Sequence, residues 1–166
     1  GDALALPLDA ALFGGVVPRA GAHQLEVVAA PVDPAMPERL RRGSNVVAFA
    51  ILPVMTQVAA ATGPGSVAGL RSGTVTVDID PPLRAGQSAT LLLNAFGPGQ
   101  LGNAAIEVVA PAAFPASQLD FAFTDLVAGD YLARVDVDGF ASQPEVGIDP
   151  QQPNFGRIIG PLVDLS

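Results

Sequence analysis

Residues 74–80 read TVTVDID, and this alternation decides the fold class. Val75, Val77 and Ile79 fall on one side of an extended chain, and Thr74, Thr76, Asp78 and Asp80 on the other. Strict period-2 patterning is the signature of a strand with one face buried. Pro81 and Pro82 follow, and they are expected to end the strand because proline donates nothing to a ladder. Working outward, residues 119–123 (LDFAF) and 131–138 (YLARVDVD) repeat the pattern. Tyr131, Ala133, Val135 and Val137 face one way; Arg134, Asp136 and Asp138 face the other. The Asp138-Gly139 pair then signals a hairpin turn. Residues 90–96, 106–110 and 146–148 are fainter strands, separated by turn-rich runs at 63–65, 97–99 and 150–154. Helix is expected only over 36–42, with Pro37 in its first turn and Gly43 as its cap. The reading is all-β, built from immunoglobulin-like β-sandwich modules with little helix.

An internal repeat divides the chain. Residues 20–27 read AGAHQLEV and residues 128–135 read AGDYLARV. Each opens on Ala-Gly, places a ring two residues after the glycine (His23, Tyr131), and continues in apolar alternation. A second apolar run follows each, at 44–52 and 142–148. A glycine ahead of an aromatic that opens a strand suits the corner near the end of an immunoglobulin-like sandwich. There Gly129 permits the tight turn and Tyr131 packs across the sheet end, with its hydroxyl bonded to nearby backbone. Residues 1–52 then supply the closing strands of a first, incomplete module: 23–29, 46–52 and a further strand at 3–8. Residues 53–166 form a second module with room for about seven strands. Pro53 is the joint. Three strands bury a face poorly, so the first module is expected to be completed from outside itself.

Composition narrows the chemistry. The chain has 166 residues, no cysteine, one histidine and a net charge of −8. Thiolate zinc sites, disulfides and cysteine nucleophiles are excluded, as are multi-histidine metal sites. All eight basic residues are arginine, which removes P-loop and Schiff-base lysines. Nucleic acid and anionic membranes are poor partners for so acidic a chain. The longest apolar run, 46–55, contains Pro53 and is far short of the ~20 residues a membrane helix needs. Charged residues make up only 14%, against about 25% in an average domain, which suits a surface partly covered by a partner.

Catalytic constellations are thin. His23 lacks the Gly-x-Ser-x-Gly elbow of a serine hydrolase and reads as a structural ring. Asp78 with Asp80, and Asp136 with Asp138, are two apart and share a strand face. Each pair gives at most four of the six to eight oxygens calcium takes, so no metal or cofactor is expected. A glycosidase or sugar platform is disfavoured by zero tryptophan and one tyrosine. Arg39, Arg41 and Arg42 form the only basic cluster, too small for nucleic acid and suited to a solvated turn or an acidic neighbour.

Three segments in order carry a resemblance: LRRGSNVVAFAILP (40–53), TVTVDIDPPLRAGQSATLLLN (74–94) and VAGDYLARVDVDGFASQPEV (127–146). Together they resemble the C-terminal immunoglobulin-like region of the cap, or tail-terminator, proteins of extracellular contractile injection systems. Residues 142–144 (SQP) depart from the Ser-Pro ending of that pattern, and the family's N-terminal capping domain has no counterpart here. The chain reads as a fragment of a longer protein. The resemblance implies a structural, non-enzymatic role in a phage-tail-like particle assembled in the cytoplasm and released from the cell. Its partners would be other particle subunits, with homo-oligomers formed through a parent chain. The alternative is a ligand- or carbohydrate-binding, adhesin-like sandwich.

Overall fold

The computed structural model describes residues 18–26, 28–29, 42–43, 45–97 and 102–166. The expected helix at 36–42 lies outside them except for Arg42, and the expected strand at 3–8 lies wholly outside. Among the described residues the chain is all-β. A leading ribbon pairs β1 (Gly21–Leu25) with β4 (Val47–Ile51), antiparallel from Gly21↔Ile51 to Leu25↔Val47. The short β2 (Val28–Ala29) and β3 (Arg42–Gly43) pair beyond it.

A two-sheet sandwich follows. One sheet has the order β5-β6-β9, from β5 (Val54–Pro64), β6 (Leu70–Leu83) and β9 (Ala116–Val127). The other is built on β10 (Asp130–Val137), flanked by β7 (Ala89–Ala95), which pairs in turn with β8 (Asn103–Glu107). In an immunoglobulin constant domain the strand in the place of β8 joins the sheet of β5, β6 and β9; here it pairs with β7 instead. The alternations seen in the sequence are what the two sheets turn toward each other. Val75, Val77 and Ile79 of β6 and Leu119, Phe121 and Phe123 of β9 meet Leu91 and Leu93 of β7 and Val135 and Val137 of β10. All are buried, and each such side chain contributes roughly 1.5–3 kcal/mol.

Two expectations are corrected. Pro81 and Pro82 do not end their strand, since β6 runs on to Leu83. Pairing with β5 stops at Val54↔Asp80, and pairing with β9 jumps from Asp78↔Gln118 to Leu83↔Ala116. The prolines occupy the gap where no ladder N–H is needed, so they cost the sheet no bond. The run at 142–148 is not the strand that closes the sandwich. The closing strand is split into β11 (Phe140–Ala141), beside the end of β10, and β14 (Leu162–Asp164), beside its start. Between them residues 142–161 leave the sheet, and β12 (Glu145–Val146) pairs with β13 (Ile158–Gly160) instead.

Candidate interaction surface

The corner reading of Tyr131 is realised in detail. Its ring is buried, and its hydroxyl donates to Val127 O at 2.8 Å. Gly129, two residues earlier, has φ 143°, in a region that a side chain would strain. The first copy of the repeat has the same construction. Gly21 has φ 127°, and His23 Nε2 lies 2.7 Å from Arg19 O, again the carbonyl four residues back. The His23 ring also stacks on Phe49, its cross-strand partner, with centroids 5.5 Å apart. A hydrogen-bonding ring and a left-handed glycine thus recur at both corners.

The ribbon is tied to the sandwich at both ends. Ala20, just before β1, belongs to the buried core, and its carbonyl accepts from Gln87 Nε2 at 3.0 Å. Pro53, just after β4, is fully buried. The ribbon itself leaves apolar side chains in solvent, with Val46 54% and Val47 58% exposed.

Three of the four paired aspartates are committed to local structure. Asp78 Oδ1 accepts from Gln118 Nε2 at 3.1 Å, while Asp80 is exposed at the end of the β5–β6 ladder. Asp136 Oδ1 accepts from Gly139 N at 2.8 Å. Asp138 lies past the strand, in the turn, with φ 52° followed by Gly139 at 87°. Two consecutive positive φ angles give the primed hairpin turn that the Asp-Gly pair signals. The Asp138 carboxylate accepts from Ser88 N at 2.9 Å, from Ser88 Oγ, and from Gln87 Nε2 at 3.0 Å. The Ser88 N–H, above all, holds this carboxyl below the usual aspartate range; partial desolvation opposes it, and the Gln87 amide, the Ser88 hydroxyl and Arg19 assist. Among the described residues no three His, Asp or Glu side chains gather as a metal site.

Three features were missed in the sequence. Gln87 joins Ala20, Asp138 and the Arg84 N–H, and nothing in a lone glutamine announces that. Ser142 is buried where the chain leaves the sheet: its Oγ accepts from Val135 N at 3.0 Å, and its N–H donates to Val135 O at 2.7 Å. The third is the 142–161 excursion itself. It exposes Ile148 (86%) and Phe155 (56%), with Val146 and Ile158 also exposed. Beside it lies a groove of about 670 Å³, lined by Pro53, Val54, Val58, Gln143, Glu145 and Pro161. The excursion supplies Gln143, Glu145 and Pro161 to its wall, opposite the 52–58 segment. Exposed apolar side chains grouped on one segment are a common feature of contact surfaces.

A family model described as a domain of unknown function (DUF8756) matches residues 50–164. That is more than half of the chain, and the chain belongs to this family. No curated protein and no solved structure matches it.

Proposed function

We propose that this chain is a structural, non-catalytic immunoglobulin-like module that acts by protein–protein assembly. Its setting, on the resemblance of residues 40–53, 74–94 and 127–146, is a cap or tail-terminator-type protein of a contractile injection system. The observation that carries the reading is the split closing strand. The excursion between its halves leaves Val146, Ile148, Phe155 and Ile158 in solvent and supplies Gln143, Glu145 and Pro161 to the groove at Pro53, on a chain with few charged residues. Apolar side chains with few charges among them are what the centre of a protein interface is made of. The ribbon supports the same reading, since it is rooted in the core through Ala20 and Pro53 yet leaves Val46 and Val47 uncovered.

The test is co-sedimentation. In cells that make the particle, the tagged chain should run with particles on a density gradient. The double variant Ile148→Asp/Phe155→Asp should stay at the top while keeping the melting temperature of the wild type. The proposal fails if the wild-type chain never enters the particle fraction, or if the double variant enters it as well as the wild type.

A further inference from the structure

We propose that the groove beside Pro53 takes an extended, basic segment of a partner protein. The segment adds as a strand to the open edge of β5 and sets a lysine or arginine against Glu145. The inference rests on the assembly reading and deepens it, because it names the kind of partner this surface takes.

The backbone supplies the first part of the argument. β5 is hydrogen-bonded to β6 on one side. β14 lies beside its second half, where Thr62 Oγ1 donates to Ser166 O at 3.3 Å. Along residues 54–58, no strand pairs with the other side among the described residues. That same stretch lines the groove. An unpaired strand edge is a template for a further strand, and natural edges are commonly guarded by charges. Residues 54–58 read VMTQV, without one. Five extended residues span about 17 Å. A groove of about 670 Å³ has the size of a ligand cleft. The register shift between Met55 and Gln57 keeps this edge from pairing over a long flat run, so selectivity falls to the side chains.

Charge supplies the second part. Glu145 is the one charged residue lining the groove among the described residues, and no arginine lines it. Glu145 is exposed and makes no hydrogen bond or ion pair among those residues. Its carboxylate lies over Gly160, its ladder partner, where an added Cβ would come within 3.1 Å of Oε2. Asp80, the ladder partner of Val54, is a second exposed carboxylate without a hydrogen bond or ion pair there. Behind both stands a chain of net charge −8. An uncompensated carboxylate at an apolar cleft in an acidic molecule draws a cation and repels an acid. Lysine and arginine suit the rest of the lining as well, since their stems cover apolar surface such as Pro53, Val54 and Pro161 while the head reaches a carboxylate. The β5 edge of a second copy does not provide this, because β5 carries no cation.

Three short synthetic peptides test it, each acetylated, amidated and built of alternating valine and threonine. One has arginine at its centre and one has glutamate there. The third has the arginine and a methyl group on every backbone amide, so it cannot extend a ladder. Titrated into the full chain at low salt, the arginine peptide should bind about five- to tenfold more tightly than the glutamate peptide. The methylated peptide should not bind. Binding of the arginine peptide should slow amide exchange within residues 54–58. Glu145→Lys, at an exposed position, should invert the order of the first two peptides and leave the melt unchanged. Failure of the arginine peptide to bind at about 1 mM overturns the proposal. So does equal binding of the arginine and glutamate peptides, an order that Glu145→Lys leaves as it was, or slowed exchange confined to the β8 edge. A free chain that is dimeric, with residues 54–58 already protected, would make a second copy the occupant and overturn it too. The titration needs no particle, so the two readings fail separately. Peptide binding supports the inference even if the chain never enters the particle fraction, and its absence overturns the inference even if the chain does.

Discussion

Tyr131 shows how one side chain fixes a corner. Its ring fills the end of the core and its hydroxyl closes onto Val127 O, so the β9–β10 connection is held from both sides. Tyr131→Phe keeps the packing and loses the bond, which should cost about 0.5–1.5 kcal/mol in a urea melt. Tyr131→Ala opens a cavity and should cost about 3–5 kcal/mol. Equal losses from the two variants would mean that the hydroxyl, and not the ring, dominates. Asp138 acts at the opposite end of β10, where it gathers Ser88 and Gln87. Its carboxyl sits below the ordinary value of 3.8 because the folded state donates to the charged form. The stability it supplies is therefore full above that value and drains away as pH falls through the lower, folded value. Wild type and Asp138→Asn should differ in melting temperature at neutral pH and converge as the solution is taken below about pH 4. A gap that stays constant with pH would show that the carboxylate charge plays no part. The same occupancy bears on metal. With Asp78, Asp136 and Asp138 each holding an N–H, melts in calcium and in chelator should coincide. A calcium-dependent rise of several degrees would revive the adhesin-like reading.

At the scale of elements, what the sequence made legible was what repeats with period 2. Residues 75, 77 and 79, 119, 121 and 123, and 131, 133, 135 and 137 are all core, because alternation records which face was buried. The Tyr131 corner was equally legible, since a left-handed glycine and a ring at fixed spacing are local demands. The split closing strand was not. β11 has two residues and β14 three, too few to show a period, while the 142–148 run mimics a strand that pairs elsewhere. Pro81 and Pro82 misled for a related reason. Proline forbids a donor only where a partner needs one, and the gap in the β9 ladder is set by register, a non-local property. The candidate surface inherits this limit: its groove brings residues 143, 145 and 161 against residues 52–58, a juxtaposition that no local pattern encodes. Ser142 is the hinge of that departure. Ser142→Ala should leave Val135 N unpaired in a buried site, costing about 1–3 kcal/mol, while Ser142→Thr keeps the acceptor and should cost less. Amide exchange at Val135 would read this directly, with faster exchange expected in the alanine variant alone.

The described residues form a sandwich carrying a two-stranded ribbon, and the two differ in how they meet their hydrophobic needs. Every member of the buried core except Ala20 lies between Val75 and Leu165. The sandwich therefore owes the ribbon little more than the Ala20 contact and the bond from Gln87 to the Ala20 carbonyl. The ribbon depends on the sandwich for both its anchors, Ala20 and Pro53, and a two-stranded ribbon is marginal in water by itself. Dependence in one direction only predicts an asymmetric outcome on cutting the chain. Residues 53–166 alone should melt cooperatively, with a loss of about 1–2 kcal/mol for the missing bond and the uncovered apolar patch. Residues 1–52 alone should show no cooperative melt and little amide protection. Adding the two pieces together should not restore protection in the ribbon, because one buried alanine and one hydrogen bond cannot offset the entropy of docking it. If residues 1–52 fold cooperatively when isolated, the ribbon is an independent domain, and its exposed Val46 and Val47 no longer argue for a partner. If residues 53–166 fail to fold, the ribbon is part of the core, and the one-way dependence inferred from Ala20 is wrong.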